Sequence, residues 1–204
     1  PITSGNIVLH CQNNWNEGTT TDNDGKWSMI VPSANLPCAV KASNSGGSEI
    51  YYSFTVGTGS AIVTNVTPLT SLALARANGA TVDDTWFNAL NDGGRLALST
   101  GLSAAITALG TALNTQSYTL PANFNPFAAS FTATTGNDYD DLLEELNAAI
   151  SAAATDFTAL LANFAAGTGL PASVAVPPSS GSATASGTLT TGNILSPNLS
   201  PNTD

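Results

Sequence analysis

The sequence predicts an α+β chain: a small N-terminal antiparallel β-sandwich over residues 1–67, followed by an Ala-rich helical region over 68–170. Three observations carry this reading. Up to Val66, short segments alternate apolar and polar residues, the period of strands with one buried face. At Thr67-Pro68 the period lengthens to that of a helix. Beyond a Pro/Ser/Gly-rich linker at 171–182, one alternating segment stands alone inside the tail at 183–204. Residues 183–190 read Ala-Thr-Ala-Ser-Gly-Thr-Leu-Thr. A lone strand has no neighbour in sequence to pair with, while the β region opens within a few residues of Pro1. The sandwich is therefore expected to be incomplete, with the C-terminal strand acting as the donor that completes it.

Each element has a local signature. Ile7-Val8-Leu9-His10-Cys11 is a first strand, with Ile7, Leu9 and Cys11 on one face. Thr19-Thr20-Thr21 leads into the turn cluster Asp22-Asn23-Asp24-Gly25 and then Lys26-Trp27-Ser28-Met29-Ile30-Val31, where Trp27, Met29 and Val31 alternate. This predicts a hairpin around an Asp-Gly turn. Cys38-Ala39-Val40-Lys41-Ala42, residues 50–56 and residues 61–66 supply further strands. Thr67 is a good N-cap, Pro68 suits the first helical position, and Gly79 ends the helix. Further helices are expected over 83–90, 96–113, 139–153 and 157–166. In the fourth helix of the chain, Leu142, Leu143, Leu146 and Ile150 form a stripe, and Asp140, Asp141, Glu144 and Glu145 crowd its start.

Composition narrows the function. Of 204 residues only 9% are charged, against roughly a quarter in ordinary soluble domains. Four Lys and Arg face fourteen Asp and Glu, a net charge of −10. Such a chain repels phosphate backbones and has no basic cluster to release counterions, which argues against nucleic acid as a partner. Its polarity comes from Ser, Thr, Asn and Gly, the habit of secreted and cell-surface proteins. No unbroken apolar run approaches the ~20 residues of a bilayer span, so no membrane span is expected. The start at Pro1 fits a mature product whose export signal is gone. In an oxidising compartment the two cysteines, Cys11 and Cys38, are expected to pair.

Candidate chemistry is thin. Asp22-Asn23-Asp24-Gly25 resembles the start of a calcium loop, but its twelfth position is Ser33, not the bidentate Glu such a loop needs. His10, the one histidine, lies next to Cys11, and strand neighbours point to opposite faces, so they form no nucleophile–base pair. The acidic residues at 138–145 read as a solvated helix start. Asn65-Val66-Thr67 and Asn198-Leu199-Ser200 match the N-glycosylation pattern, a weak motif. No catalytic residue, metal or cofactor is expected.

Residues 20–28 with Pro37-Cys38-Ala39-Val40-Lys41-Ala42 resemble the hairpin of carboxypeptidase-regulatory-like (Cna B-type, transthyretin-like) sandwiches. Asn65-Val66-Thr67-Pro68-Leu69-Thr70-Ser71-Leu72 is similar to the strand-to-helix junction of secreted bacterial proteins that join an Ala-rich helical region to such a sandwich. Asn125-Pro126-Phe127, with Leu142-Leu143 downstream, resembles that helical region. The likeness covers roughly residues 5–165 and implies a secreted or surface location without catalysis. It also implies a first strand of the type Ser-Gly-Thr-Val-Thr before the one at 7–11. Here that pattern occurs at Ser186-Gly187-Thr188-Leu189-Thr190-Thr191-Gly192. Some such proteins close an isopeptide bond from a Lys on that strand; no Lys follows Lys41, so this chemistry is not carried over.

Two functions fit. One is a structural subunit of an extracellular filament, pilus-like or matrix-forming, whose copies pair with one another by donating strands. The other is a monomeric surface adhesion or binding module whose tail folds back on itself. A secreted enzyme is disfavoured by the missing catalytic groups. In either reading Ala183, Ala185, Gly187 and Leu189 should face the acceptor core. Ile7, Leu9, Trp27 and Met29 are the candidate groove residues, with Trp27 the bulky neighbour for which Gly187 leaves space.

Overall fold

The computed structural model describes residues 1–130, 132, 136–175 and 185–191. Among these residues it is a mixed α+β arrangement of two sheets and five α-helices. The strands are β1 (Asn6–Cys11), β2 (Asn16–Thr20), β3 (Lys26–Val31), β4 (Cys38–Ser43), β5 (Ile50–Phe54), β6 (Ala61–Val66) and β7 (Ala185–Thr191). The helices are α1 (Pro68–Asn78), α2 (Asp84–Ala89), α3 (Asp92–Thr115), α4 (Asp138–Ala152) and α5 (Phe157–Ala165). One sheet is antiparallel in the order β2-β1-β4-β5; the other is mixed, in the order β3-β7-β6.

The four-stranded sheet is apolar on both faces, which explains the nearly continuous burial of β4. Ile7, Leu9, Cys11, Cys38, Val40 and Ala42 share one core cluster with Trp27, Val31, Ile62, Val66 and Leu189 of the other sheet. Ala39, Tyr52 and Phe54 belong instead to a second core built with α1 and the other helices. That core spans the change from strands to helices at residue 67.

The start of α1 forms as the sequence predicts. The Thr70 N–H donates to Thr67 Oγ1 at 3.2 Å, the Thr67 N–H donates to Thr70 Oγ1 at 2.9 Å, and Gly79 takes the left-handed C-cap conformation at φ 70°. The same turn covers the sheet. β5 is an edge strand, and the Tyr52 N–H donates to Ser71 Oγ at 2.8 Å while Thr70 Oγ1 donates to the Tyr52 carbonyl at 2.8 Å. Hydroxyls from a helix thereby satisfy backbone groups that an exposed edge would offer to another chain.

One expectation is corrected. The Asp22–Gly25 turn forms, with Asp22 Oδ1 accepting from the N–H groups of Asp24 and Lys26, both at 2.9 Å. It closes no hairpin, however. β2 pairs with β1, and β3 pairs with β7, so the turn carries the chain from one sheet to the other. Turn chemistry records a local reversal, not which sheet receives the next strand. The helix expected over 96–113 forms as α3, which by length and composition alone is apolar enough to cross a bilayer. Ser, Thr and Gly interrupt its apolar residues. Its Leu98, Leu102, Leu109 and Leu113 are buried in the core.

β1 and β4 hold Cys11 opposite Cys38, 4.0 Å apart at Cα, and the two form a disulfide. The bond closes a 27-residue separation, so reduction should lower stability by about 3 kcal/mol, read as a shift in denaturant midpoint. A second tie joins this sheet to α2. Lys41 Nζ and the Tyr52 hydroxyl both donate to Asp84 Oδ1 at 2.9 Å. The hydrogen bond from Lys41 holds the Asp84 carboxyl below its usual range, with the Tyr52 hydroxyl adding to it; burial, then Asp84, push the Tyr52 phenol up. A depressed carboxyl contributes stability above the unfolded pKa near ~4 and loses it as pH falls through the folded value. Asp84 is half-exposed, so the contribution stays below about 1 kcal/mol. Asp84→Asn should lower Tm slightly at neutral pH, with the difference vanishing in acid; a constant difference down to low pH would contradict the assignment.

Candidate strand-acceptor site between β3 and β6

The middle position of the three-stranded sheet is taken by the last described segment of the chain. β7 runs parallel to β3, with Trp27 beside Gly187 and Met29 beside Leu189, and antiparallel to β6, with Thr64 beside Gly187 and Ile62 beside Leu189. β3 and β6 are hydrogen-bonded to β7 and not to each other. At the usual spacing of ~4.8 Å between neighbouring strands, they flank a slot about two spacings wide.

Side-chain chemistry fixes the register inside this slot. Leu189 is fully buried, and Gly187 is buried, while Thr188 and Thr190 are exposed. A Cβ built on Gly187 would lie 2.1 Å from Trp27 Cε2, so the indole occupies the volume that a side chain would need. Ala183 lies outside the described residues, as does Thr184; Ala185 opens β7 and pairs with Val66. Of the four groove candidates, Trp27 and Met29 flank β7 directly, and Ile7 and Leu9 of the opposite sheet share a core cluster with Leu189. Trp27 Nε1 and Thr64 Oγ1, the buried polar atoms on either side of Gly187, have no hydrogen-bond partner among the described residues.

Both ends of β7 are fastened beyond the ladder. The Ser186 N–H donates to the Gly25 carbonyl at 3.0 Å, and its Oγ donates to Asn65 Oδ1 at 2.8 Å. At the other end the Thr191 N–H donates to the Ser60 carbonyl and its Oγ1 to the Gly59 carbonyl, both at 3.0 Å.

Asn65 is the residue that sequence reasoning missed. Its Nδ2 donates to the carbonyls of Pro126 at 3.1 Å and Ala129 at 2.7 Å, and its backbone N–H donates to the Phe127 carbonyl at 2.8 Å. One fully buried amide thus bridges β7 and the Asn125-Pro126-Phe127 segment. The Asn65 amide of the first N-glycosylation motif is spent on internal hydrogen bonds and closed to solvent. The second motif, at Asn198, lies outside the described residues.

The remaining candidates have structural occupations. His10 stacks on Phe87 with ring centroids 4.2 Å apart and Nδ1 3.3 Å from the Phe87 carbonyl. Asp22 caps its own turn, and Asp24 pairs with Lys26 at 3.3 Å. Comparison of the chain with protein-family models, curated proteins and solved structures finds no match.

Burying Leu189 stabilises the inserted strand by about 2 kcal/mol. Leu189→Asp would place an unpaired carboxylate in the core and should expel β7, whereas exposed Thr188→Asp should be mild. Gly187→Ala should cost about 1–3 kcal/mol through the clash with Trp27. Hydrogen exchange of the β6 amides reads all three, and equal effects at 188 and 189 would refute the register.

Proposed function

We propose that this chain is a structural subunit of an extracellular bacterial filament, assembled head to tail by donor-strand complementation. In this reading the two sheets form an incomplete sandwich, and β7 of one copy completes the sheet of the next. The observation that carries it is the place of β7: a strand separated from its neighbours by more than a hundred residues fills the middle of a sheet whose other two strands touch only through it. A middle strand contributes both of its hydrogen-bonding edges, so losing it opens two edges and uncovers Trp27 and Ile62. Natural sheets do not leave such edges bare.

Supplying that strand from another copy is a heterologous contact, which generates an open chain when its rotation does not close. The disulfide and the low charge content favour an oxidising, extracellular setting. The occupied state of His10 and Asp84 favours a structural over a catalytic role. The second reading, a monomeric surface module, uses the same slot and strand with the tail returning to its own sheet; it is favoured by the pairing of β7 with the β3 and β6 of one chain.

Purified full-length protein should form fibres by negative-stain electron microscopy, and its mass should grow with concentration. A chain ending at Pro178 should be poorly soluble, and a peptide of residues 183–192 should restore it as a discrete monomeric complex. Full-length protein that sediments as a monomer at every concentration, with an intact β7, would sink the filament and leave the monomeric module.

A further inference from the structure

A cavity of about 560 Å³ is lined by residues that follow β3, precede β6 and lie on α3. Its apolar walls are Leu36, Phe54, Val56, Leu102, Ile106 and Phe124, and every residue lining it is uncharged. Both strands that flank β7 lead to it. Val31 of β3 stands beside Thr191, and the chain from there reaches Leu36 within five residues. On the other side Thr191 is bonded to Gly59 and Ser60, and the adjacent Gly57 and Thr58 line the cavity. The chain therefore leaves the slot at the rim of an apolar groove.

The residues that follow are suited to it. Gly192-Asn193-Ile194-Leu195-Ser196-Pro197-Asn198-Leu199 carries no charge and places two large aliphatic residues three and four positions beyond Thr191. At ~3.3 Å per residue they reach about 10–13 Å, the scale of a step from the rim into the groove. We infer that this groove is the docking site for the segment after β7, with Ile194 and Leu195 as its anchors. The occupant is the tail of whichever copy supplies β7. The inference rests on β7 filling the slot, not on whether the strand comes from its own chain or another. It makes the joint a composite of a backbone ladder and an apolar plug, so removing the plug shortens the lifetime of the ladder.

Full-length protein carrying Ile106→Cys and Leu195→Cys tests this. Mild oxidation, digestion and mass spectrometry should recover a peptide linking positions 106 and 195, while Thr20→Cys with Leu195→Cys, on the far β2 edge, should give none. In a separate full-length variant, Ile194→Ser with Leu195→Ser should speed exchange of the β7 amides about tenfold or more while leaving α4 amides unchanged. Failure to link 106 to 195, or linkage of position 195 elsewhere, overturns the docking site. Unprotected β7 amides in the unsubstituted protein would instead overturn the filled slot, so the two failures are distinguishable.

Discussion

The rest of the molecule depends on one constraint: β3 and β6 have no ladder with each other. A two-spacing gap between strands cannot be closed by side chains, because the unpaired groups are on the backbone and point across it. Only another extended segment presents donors and acceptors on both sides at the right repeat. Net hydrogen-bond energies of about 0.5–1.5 kcal/mol each are modest. Leaving buried donors and acceptors unmade is what costs, and β7 removes that cost for both neighbours. The apolar cluster beneath follows, since Leu189 is the β7 residue that joins Trp27, Val31, Ile62 and Val66 to the facing sheet.

The helices solve the same problem at the other sheet. β5 is an edge, and α1 begins immediately after β6, so the chain can lay the first turn of a helix along that edge. Thr70 and Ser71 there both support the helix start and bond the backbone of Tyr52. Asn65, two residues before the Thr67 cap, links the same junction to β7 and to the segment at 125–129. Strand occupancy and helical packing are therefore mechanically adjacent. Displacing Ser186 removes the partner of Asn65 Oδ1.

Local chemistry was legible from sequence, and partnership was not. The Thr67-Pro68 cap, the Leu142/Leu143/Leu146 stripe and the alternation of Gly187 to Thr190 each follow from residues within one or two turns or strand repeats of one another. The cysteine pair was legible because both residues end strands and an oxidising setting leaves them one partner. The Asp22–Gly25 turn misled because a carboxylate capping two N–H groups stabilises a reversal equally well within a sheet or between sheets. The parallel pairing of β3 with β7 joins residues about 160 positions apart, and no local pattern encodes it. The bridging role of Asn65 was not legible, because the weak glycosylation motif around it records residue types and not burial.

Inside the slot, affinity and specificity are assigned to different residues. Leu189 and the ladder provide most of the holding, yet neither would distinguish this register from one two residues away, which keeps the same face inward. Gly187 does. A two-residue shift would set Ala185 or Leu189 against Trp27, where even a single methyl lies 2.1 Å from the indole. The indole in turn gives up a hydrogen bond: Trp27 Nε1 and Thr64 Oγ1 are buried around Gly187 without partners among the described residues. An open slot would let water reach both groups, so filling it carries a desolvation cost of about 1–3 kcal/mol for each. That cost is the same for any strand that covers them. A strand with Gly at this place offsets it with close packing against the indole, and a strand with a side chain there cannot. The slot thus weakens every occupant a little and excludes the wrong ones by more, which is how a joint made mainly of backbone hydrogen bonds acquires a sequence preference.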